Sequence, residues 1–146
     1  MKQAVILCGI PGSGKSSYVA GLQEMWEDIV VCSADLYFTR SGEYKFDPTL
    51  LGEAHGSCLK KYVSALINEQ RVVVDNTNTT LLEMAPYVTL GMAYGYQIQV
   101  IRFRVDPEVA AARNIHGVPL NVCRAMAERL DSLEIPPYWK VSSVIL

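Results

Sequence analysis

The stretch AVILCGIPGSGKSS, Ala4 to Ser17, decides how the rest of the chain is read. An apolar run, Ala4 to Cys8, stops at Gly9, and from there the chain fits G-x-x-x-x-G-K-[ST] at Gly9, Gly14, Lys15 and Ser16. The run predicts a buried strand, Gln3–Cys8, and the residues from Lys15 to about Trp26 predict a helix. Backbone N–H groups freed from side-chain bulk by Gly9, Gly12 and Gly14 can wrap an anion, to which the helix N-terminus adds a partial positive charge. Pro11, Ser13 and Ser17 join the same candidate phosphate-binding set. Lys15 would reach the β- and γ-phosphates of a nucleotide, and the Ser16 hydroxyl would ligate Mg²⁺. The alternative is a glycine-rich strand-to-helix turn with no ligand.

Beyond this loop, short apolar runs alternate with segments of helical period, which predicts βαβ units and a mostly parallel sheet. Further strands are expected at Asp28–Cys32, Arg71–Asp75, Tyr96–Phe103 and Lys140–Ile145. A second helix comes after Asp47-Pro48, an N-cap and first-turn pair, with Leu51, Ala54, Cys58, Tyr62 and Leu66 on one stripe. A third opens with Thr80 and Glu83 in capping-box spacing and runs to about Tyr94. Asp106-Pro107 opens a fourth that reaches about Asn114, and HGVP (116–119) separates it from a last helix with Leu120, Cys123, Ala127, Leu130 and Leu133 on one stripe. The segment TRSGEYKF (39–46) lacks periodicity, as functional loops often do.

Asp35 stands just past the second strand, at the end where open α/β sheets bind ligands. It could orient an acceptor hydroxyl and take its proton, or merely cap the next turn. Asp75 closes the apolar strand RVVVD in the manner of a carboxylate that holds Mg²⁺ directly or through water. The amides and hydroxyls of Asn76, Thr77 and Asn78 could bond a substrate, or serve as cap and turn chemistry. Arg113 ends a helix just before Gly117, a mobile junction in this reading, from which a guanidinium could swing over the γ-phosphate; the alternative is compensation of the helix dipole. His116 is either a lid phosphate ligand or a solvated turn residue.

Composition narrows the setting. The chain has 146 residues, half of them hydrophobic, and a formal net charge of −2, so one core suffices and no large basic face is available to grip duplex nucleic acid. Four cysteines without C-x-x-C pairing read as small buried hydrophobes in a reducing compartment. Met1-Lys2-Gln3 and a short apolar run lack the parts of a signal peptide, and no apolar stretch approaches the roughly 20 residues of a membrane span. The expectation is a single cytoplasmic domain, residues 1–146, without membrane contact.

GIPGSGKSS, SADLYF, DNTNT and RNIHGVP, in that order, resemble the kinase domain of the polynucleotide 5′-kinase family, over about Ala4 to Leu130. The resemblance implies an α/β P-loop NTPase fold with a five-stranded parallel sheet flanked by helices in adenylate-kinase-like order. It implies ATP- and Mg²⁺-dependent phosphorylation of a polynucleotide 5′-hydroxyl, with Lys15 and Ser16 at phosphates and metal, Asp35 as general base, and Arg113 as the lid arginine. Where phage members carry an arginine three residues after the base to hold the acceptor's 3′ phosphate, this chain has Phe38, and Arg40 is the nearest candidate. The lid is a short RNIHG with His116 instead of a longer basic run. A nucleic-acid 5′ end, RNA or DNA, is thus the expected partner beside the nucleotide. The rivals are a P-loop kinase of a small metabolite or nucleoside, and a nucleotide-binding regulatory module. The absence of an N-K-x-D sequence and the role left open for Asp35 count against the regulatory module.

Overall fold

The computed structural model describes residues 2–146. Five strands, β1 (Gln3–Cys8), β2 (Val30–Cys32), β3 (Val72–Asp75), β4 (Gln97–Arg102) and β5 (Val141–Ile145), form one sheet in the order β2-β3-β1-β4-β5. Every neighbouring pair is parallel. The helices are α1 (Lys15–Met25), α2 (Leu51–Ile67), α3 (Leu81–Ala93), α4 (Pro107–Arg113) and α5 (Leu120–Asp131). The arrangement is the parallel, helix-flanked, adenylate-kinase-like sheet that the resemblance implies. Its central strands are apolar without alternation because they are buried on both faces.

Each face has its own core. Ala4, Ile6, Cys8, Val72, Val74, Ile98 and Val100 point toward α2 and α3, where Cys58, Tyr62, Met84 and Val88 meet them. Val5, Leu7, Val73 and Ile101 point the other way, onto Val19 and Leu22 of α1. Adjacent strands β1 and β3 therefore send their succeeding helices to opposite faces, and a crevice opens beyond their C-terminal ends. All four cysteines are free and buried, and burial pushes the thiols of Cys8 and Cys32 up to about 12. They pack as the sequence predicts.

Element boundaries differ from expectation where local hydrogen bonds intervene. Asp47 does cap, but what it caps is a 3-10 turn at Pro48–Leu50: its Oδ1 accepts from Thr49 N at 2.9 Å, and α2 begins only at Leu51. In α3, Thr80 Oγ1 accepts from Glu83 N at 3.2 Å as the capping box requires, but the Glu83 carboxylate accepts from Thr79 N at 2.9 Å, one residue earlier than the motif's usual partner. α3 continues through Pro86, which cannot donate to the Leu82 carbonyl. A 3-10 helix, Ala34–Thr39, leads into the segment 39–46, which otherwise carries no helix or strand.

Candidate active site

The loop after β1 is shaped by two glycines. Gly12 and Gly14 have φ of 82° and 105°, a region that costs an L side chain roughly 1–2 kcal/mol. A Cβ on Gly12 would also stand 2.2 Å from the carbonyl oxygen of Ala110, so α4 rests directly on the loop backbone. Lys15 Nζ donates to the carbonyl oxygens of Gly9 (2.9 Å) and Ile10 (3.2 Å), across the base of the loop. Burial pulls the Lys15 amine below its ordinary value, opposed by the carboxylates of Asp75 and Asp35. Burial pushes the Asp75 carboxyl up in turn, opposed by the Lys15 ammonium. Both charged forms are thus held at a cost in a partly dry site.

This loop forms one wall of a cleft of about 980 Å³. Pro11, Gly12, Gly14, Lys15, Ser16 and Ser17 line it from the β1–α1 side, and Asp35 from the 3-10 helix after β2. Asp75, Asn76, Thr77 and Asn78 line it from the end of β3, and Arg113 and His116 from the end of α4 and the turn after it. Among the described residues no group of three or more His, Cys, Asp and Glu side chains is set to hold a metal. Ser16 and Asp75 offer one hydroxyl and one carboxylate in the same cleft. That donor set suits Mg²⁺, which keeps several waters and leans on substrate phosphates instead of a protein cage.

Asp35 is not the cap of its turn. Ser33 is, its Oγ accepting from Asp35 N at 3.3 Å, which leaves the Asp35 carboxylate exposed toward the cleft. Asn76 and Asn78 line the cleft, but their side chains brace the fold. Asn76 Oδ1 accepts from Ala34 N at 2.9 Å, and the fully buried Asn78 donates Nδ2 to the Leu7 carbonyl at 2.9 Å. Thr77 ties the same strand end to the phosphate loop through its carbonyl, which accepts from Gly9 N at 2.9 Å. Gly9 and Ser13 lie behind the cleft surface: the Ser13 hydroxyl is buried with no hydrogen-bond partner among the described residues, and a Cβ on Gly9 would come within 2.5 Å of it.

Arg40 is a correction. Its guanidinium folds back over the Tyr37 ring at 4.0 Å and donates to the Tyr37 carbonyl at 2.7 Å, and it does not line the cleft. Nor can Phe38 stand in for an arginine, because it is buried against Ala34 and Ala54. The junction before Gly117 carries its own hydrogen bonds. Asn114 donates Nδ2 to the carbonyls of Ala111 and Val118 at 3.1 and 3.2 Å, and its Oδ1 accepts from Val118 N at 2.8 Å. These bonds shape the turn that presents His116.

Sequence reasoning missed the remaining wall. Leu51 and Leu59 of α2, Leu82 and Pro86 of α3, and Ile115 of the lid give the cleft an apolar side. Leu82 and Ile115 are 86% and 90% exposed, the highest values among the exposed large hydrophobics. Helical spacing marks Leu51 as core; only the fold brings these residues to one opening.

Comparison with known proteins agrees with this geometry. The family model described as an AAA domain matches residues 5–116. NEDD4-binding protein 2 of Homo sapiens is 36% identical over 145 residues, which takes in 96% of this chain and 8% of that protein. The bifunctional polynucleotide phosphatase/kinase of Schizosaccharomyces pombe is 26% identical over 114 residues, 78% of this chain and 24% of that protein. The chain thus spans less than a quarter of either curated relative. Among solved structures, a chain of the Pnkp1/Rnl/Hen1 RNA repair complex superposes with a TM-score of 0.75 at 20% identity, over 88% of this chain and 44% of that one. A gluconokinase from Sinorhizobium meliloti 1021 superposes with a TM-score of 0.61 at 17% identity, over 99% and 82%. At such identities the likeness is one of fold. The extent of the family match and the phosphate loop seated at the mouth of a five-stranded parallel sheet together establish that the chain belongs to the AAA domain family and has a P-loop kinase fold.

Proposed function

We propose that this chain is an ATP- and Mg²⁺-dependent kinase that transfers the γ-phosphoryl group to the 5′-hydroxyl of a polynucleotide. The observation that carries the reading is the composition of the cleft. A phosphate loop with Lys15 and Ser16 and an exposed carboxylate at Asp35 share one opening, whose far wall sets Leu51, Leu59, Leu82, Pro86 and Ile115 among His55, Glu83 and Tyr87. In the reaction, the acceptor oxygen forms a bond to the γ-phosphorus as its proton passes to Asp35. The bond from that phosphorus to the bridging oxygen breaks, and its electron pair leaves with ADP. Lys15 and Arg113 meet charge on the transferring group, and a cation shared by Ser16, Asp75 and the phosphates would supply further electrostatic stabilisation.

The exposed apolar side chains in this wall suit an acceptor with a nucleobase. Leu51, Leu82 and Ile115 can pack on a planar face, and His55 and Glu83 of the same wall can hydrogen-bond polar edges. A net charge of −2 suits a strand end better than a duplex gripped along many phosphates, and it also keeps a small-metabolite kinase as the second reading. Four free buried cysteines suit a reducing compartment, and we place the chain in the cytoplasm. Labelled ATP incubated with oligonucleotides bearing 5′-hydroxyls, with nucleosides and with gluconate tests the assignment. Label on the oligonucleotide is the expected result; label on gluconate or nucleoside alone would overturn the polynucleotide reading.

A further inference from the structure

Three side chains from separate segments meet at the acceptor side of the cleft. Tyr44 Oη donates a long hydrogen bond, 3.5 Å, to Asp35 Oδ1. His116 Nε2 lies 3.8 Å from Asp35 Oδ2, and the rings of Tyr44 and His116 stack with centroids 4.5 Å apart and planes tilted by 34°. Tyr44 is braced from behind, since its ring meets the edge of buried Phe38 at 6.3 Å. The adjacent backbone is also tied to that residue, with Lys45 N donating to the Phe38 carbonyl at 2.9 Å. The Asp35 and His116 side chains are 55% and 33% exposed, so water screens any charge between them. What joins lid to base is mainly the tyrosine.

We propose that Tyr44 is a positioning residue for phosphoryl transfer: its hydroxyl fixes one oxygen of the Asp35 carboxylate, and its ring seats the lid through His116. One side chain would then set both the aim of the base and the docking of the lid, so that a closed lid and an oriented carboxylate occur together. The phenol stays a donor across neutral pH, because desolvation and the neighbouring Asp35 charge both push its own ionisation up. The proposal rests on the reading of Asp35 as the general base.

Two measurements test it. In steady-state kinetics with a 5′-hydroxyl oligonucleotide, Tyr44→Phe should lower kcat by about three- to tenfold, the effect of one hydrogen bond, with KM for ATP unchanged. Tyr44→Leu should lower it further, and a cycle of Tyr44→Leu with His116→Ala should be non-additive. Independently of activity, the His116 ring signals in the proton NMR spectrum of the nucleotide-free protein should carry a ring-current shift that Tyr44→Phe keeps and Tyr44→Leu removes. Wild-type kcat in Tyr44→Phe, or additivity in the cycle, would overturn the positioning role and leave Tyr44 as packing on Phe38. Unchanged His116 signals in Tyr44→Leu would overturn the lid contact itself. If wild-type protein phosphorylates no acceptor, the kinase reading fails, while the NMR arm still decides whether the contact exists.

Discussion

Asp35 and Asp75 are both carboxylates at strand ends, yet their surroundings differ. Asp35 is exposed, and among the described residues its carboxylate has Tyr44 and His116 as polar neighbours, which suits a group that must give and take a proton. Asp35→Asn should leave ATP affinity nearly unchanged while turnover falls by about 10²–10⁴; isothermal titration beside steady-state kinetics checks this, and equal losses in both would indicate a metal or structural role. Asp75 is half-buried, and burial raises its carboxyl above the unfolded value near 3.8. The folded state then holds this proton more tightly than the unfolded chain, so stability falls as pH rises through the window above 3.8. In Asp75→Asn that fall should be absent from denaturation curves taken across the window, and activity should show an altered Mg²⁺ requirement. A native-like pH slope together with a native Mg²⁺ response would remove Asp75 from the metal site.

At the scale of elements, the phosphate loop and α4 are built as one piece, because the Ala110 carbonyl fills the space that a side chain at position 12 would need. Gly12→Ala should therefore cost more than the roughly 1–2 kcal/mol of the left-handed backbone alone and should shift the lid. Chemical denaturation checks the stability, and a variant as stable as wild type would show that α4 moves aside freely. Arg113 is the last residue of α4 and is succeeded at once by Asn114, whose side chain bonds the turn at Val118. Arg113→Lys should keep ATP binding but lower turnover by about 10² or more, since a comparable arginine finger contributes about 10³–10⁵ and lysine lacks the planar fork. Wild-type turnover in that variant would return Arg113 to a helix-dipole role.

For the molecule as a whole, the cleft holds opposed charges against burial, and a bound nucleotide with its cation would relieve both. At about 100 times Kd, Mg·ATP should stabilise the fold by about 2.7 kcal/mol, a rise in Tm that thermal scanning reads directly; Lys15→Ala should stay folded and lose most of the rise. The same cleft separates what was legible in the sequence from what was not. The phosphate loop, the strand-end acids Asp35 and Asp75 and the alternation of apolar runs with helical stripes are properties of spacing along the chain. They determined the fold class and the nucleotide side of the site, because a βαβ unit puts its loops at one edge of the sheet whatever the rest does. Arg40 and the asparagines show the limit of that reasoning. Spacing put a guanidinium and three amide or hydroxyl residues near the acceptor, while packing turned Arg40 back onto Tyr37 and committed Asn76 and Asn78 to the backbone. The contact of Tyr44 with His116 and the meeting of Leu51, Leu82 and Ile115 in one opening join residues far apart in the chain. No local pattern encodes such a meeting: it exists only once two layers of helices have packed on the sheet and fixed which side chains share a space.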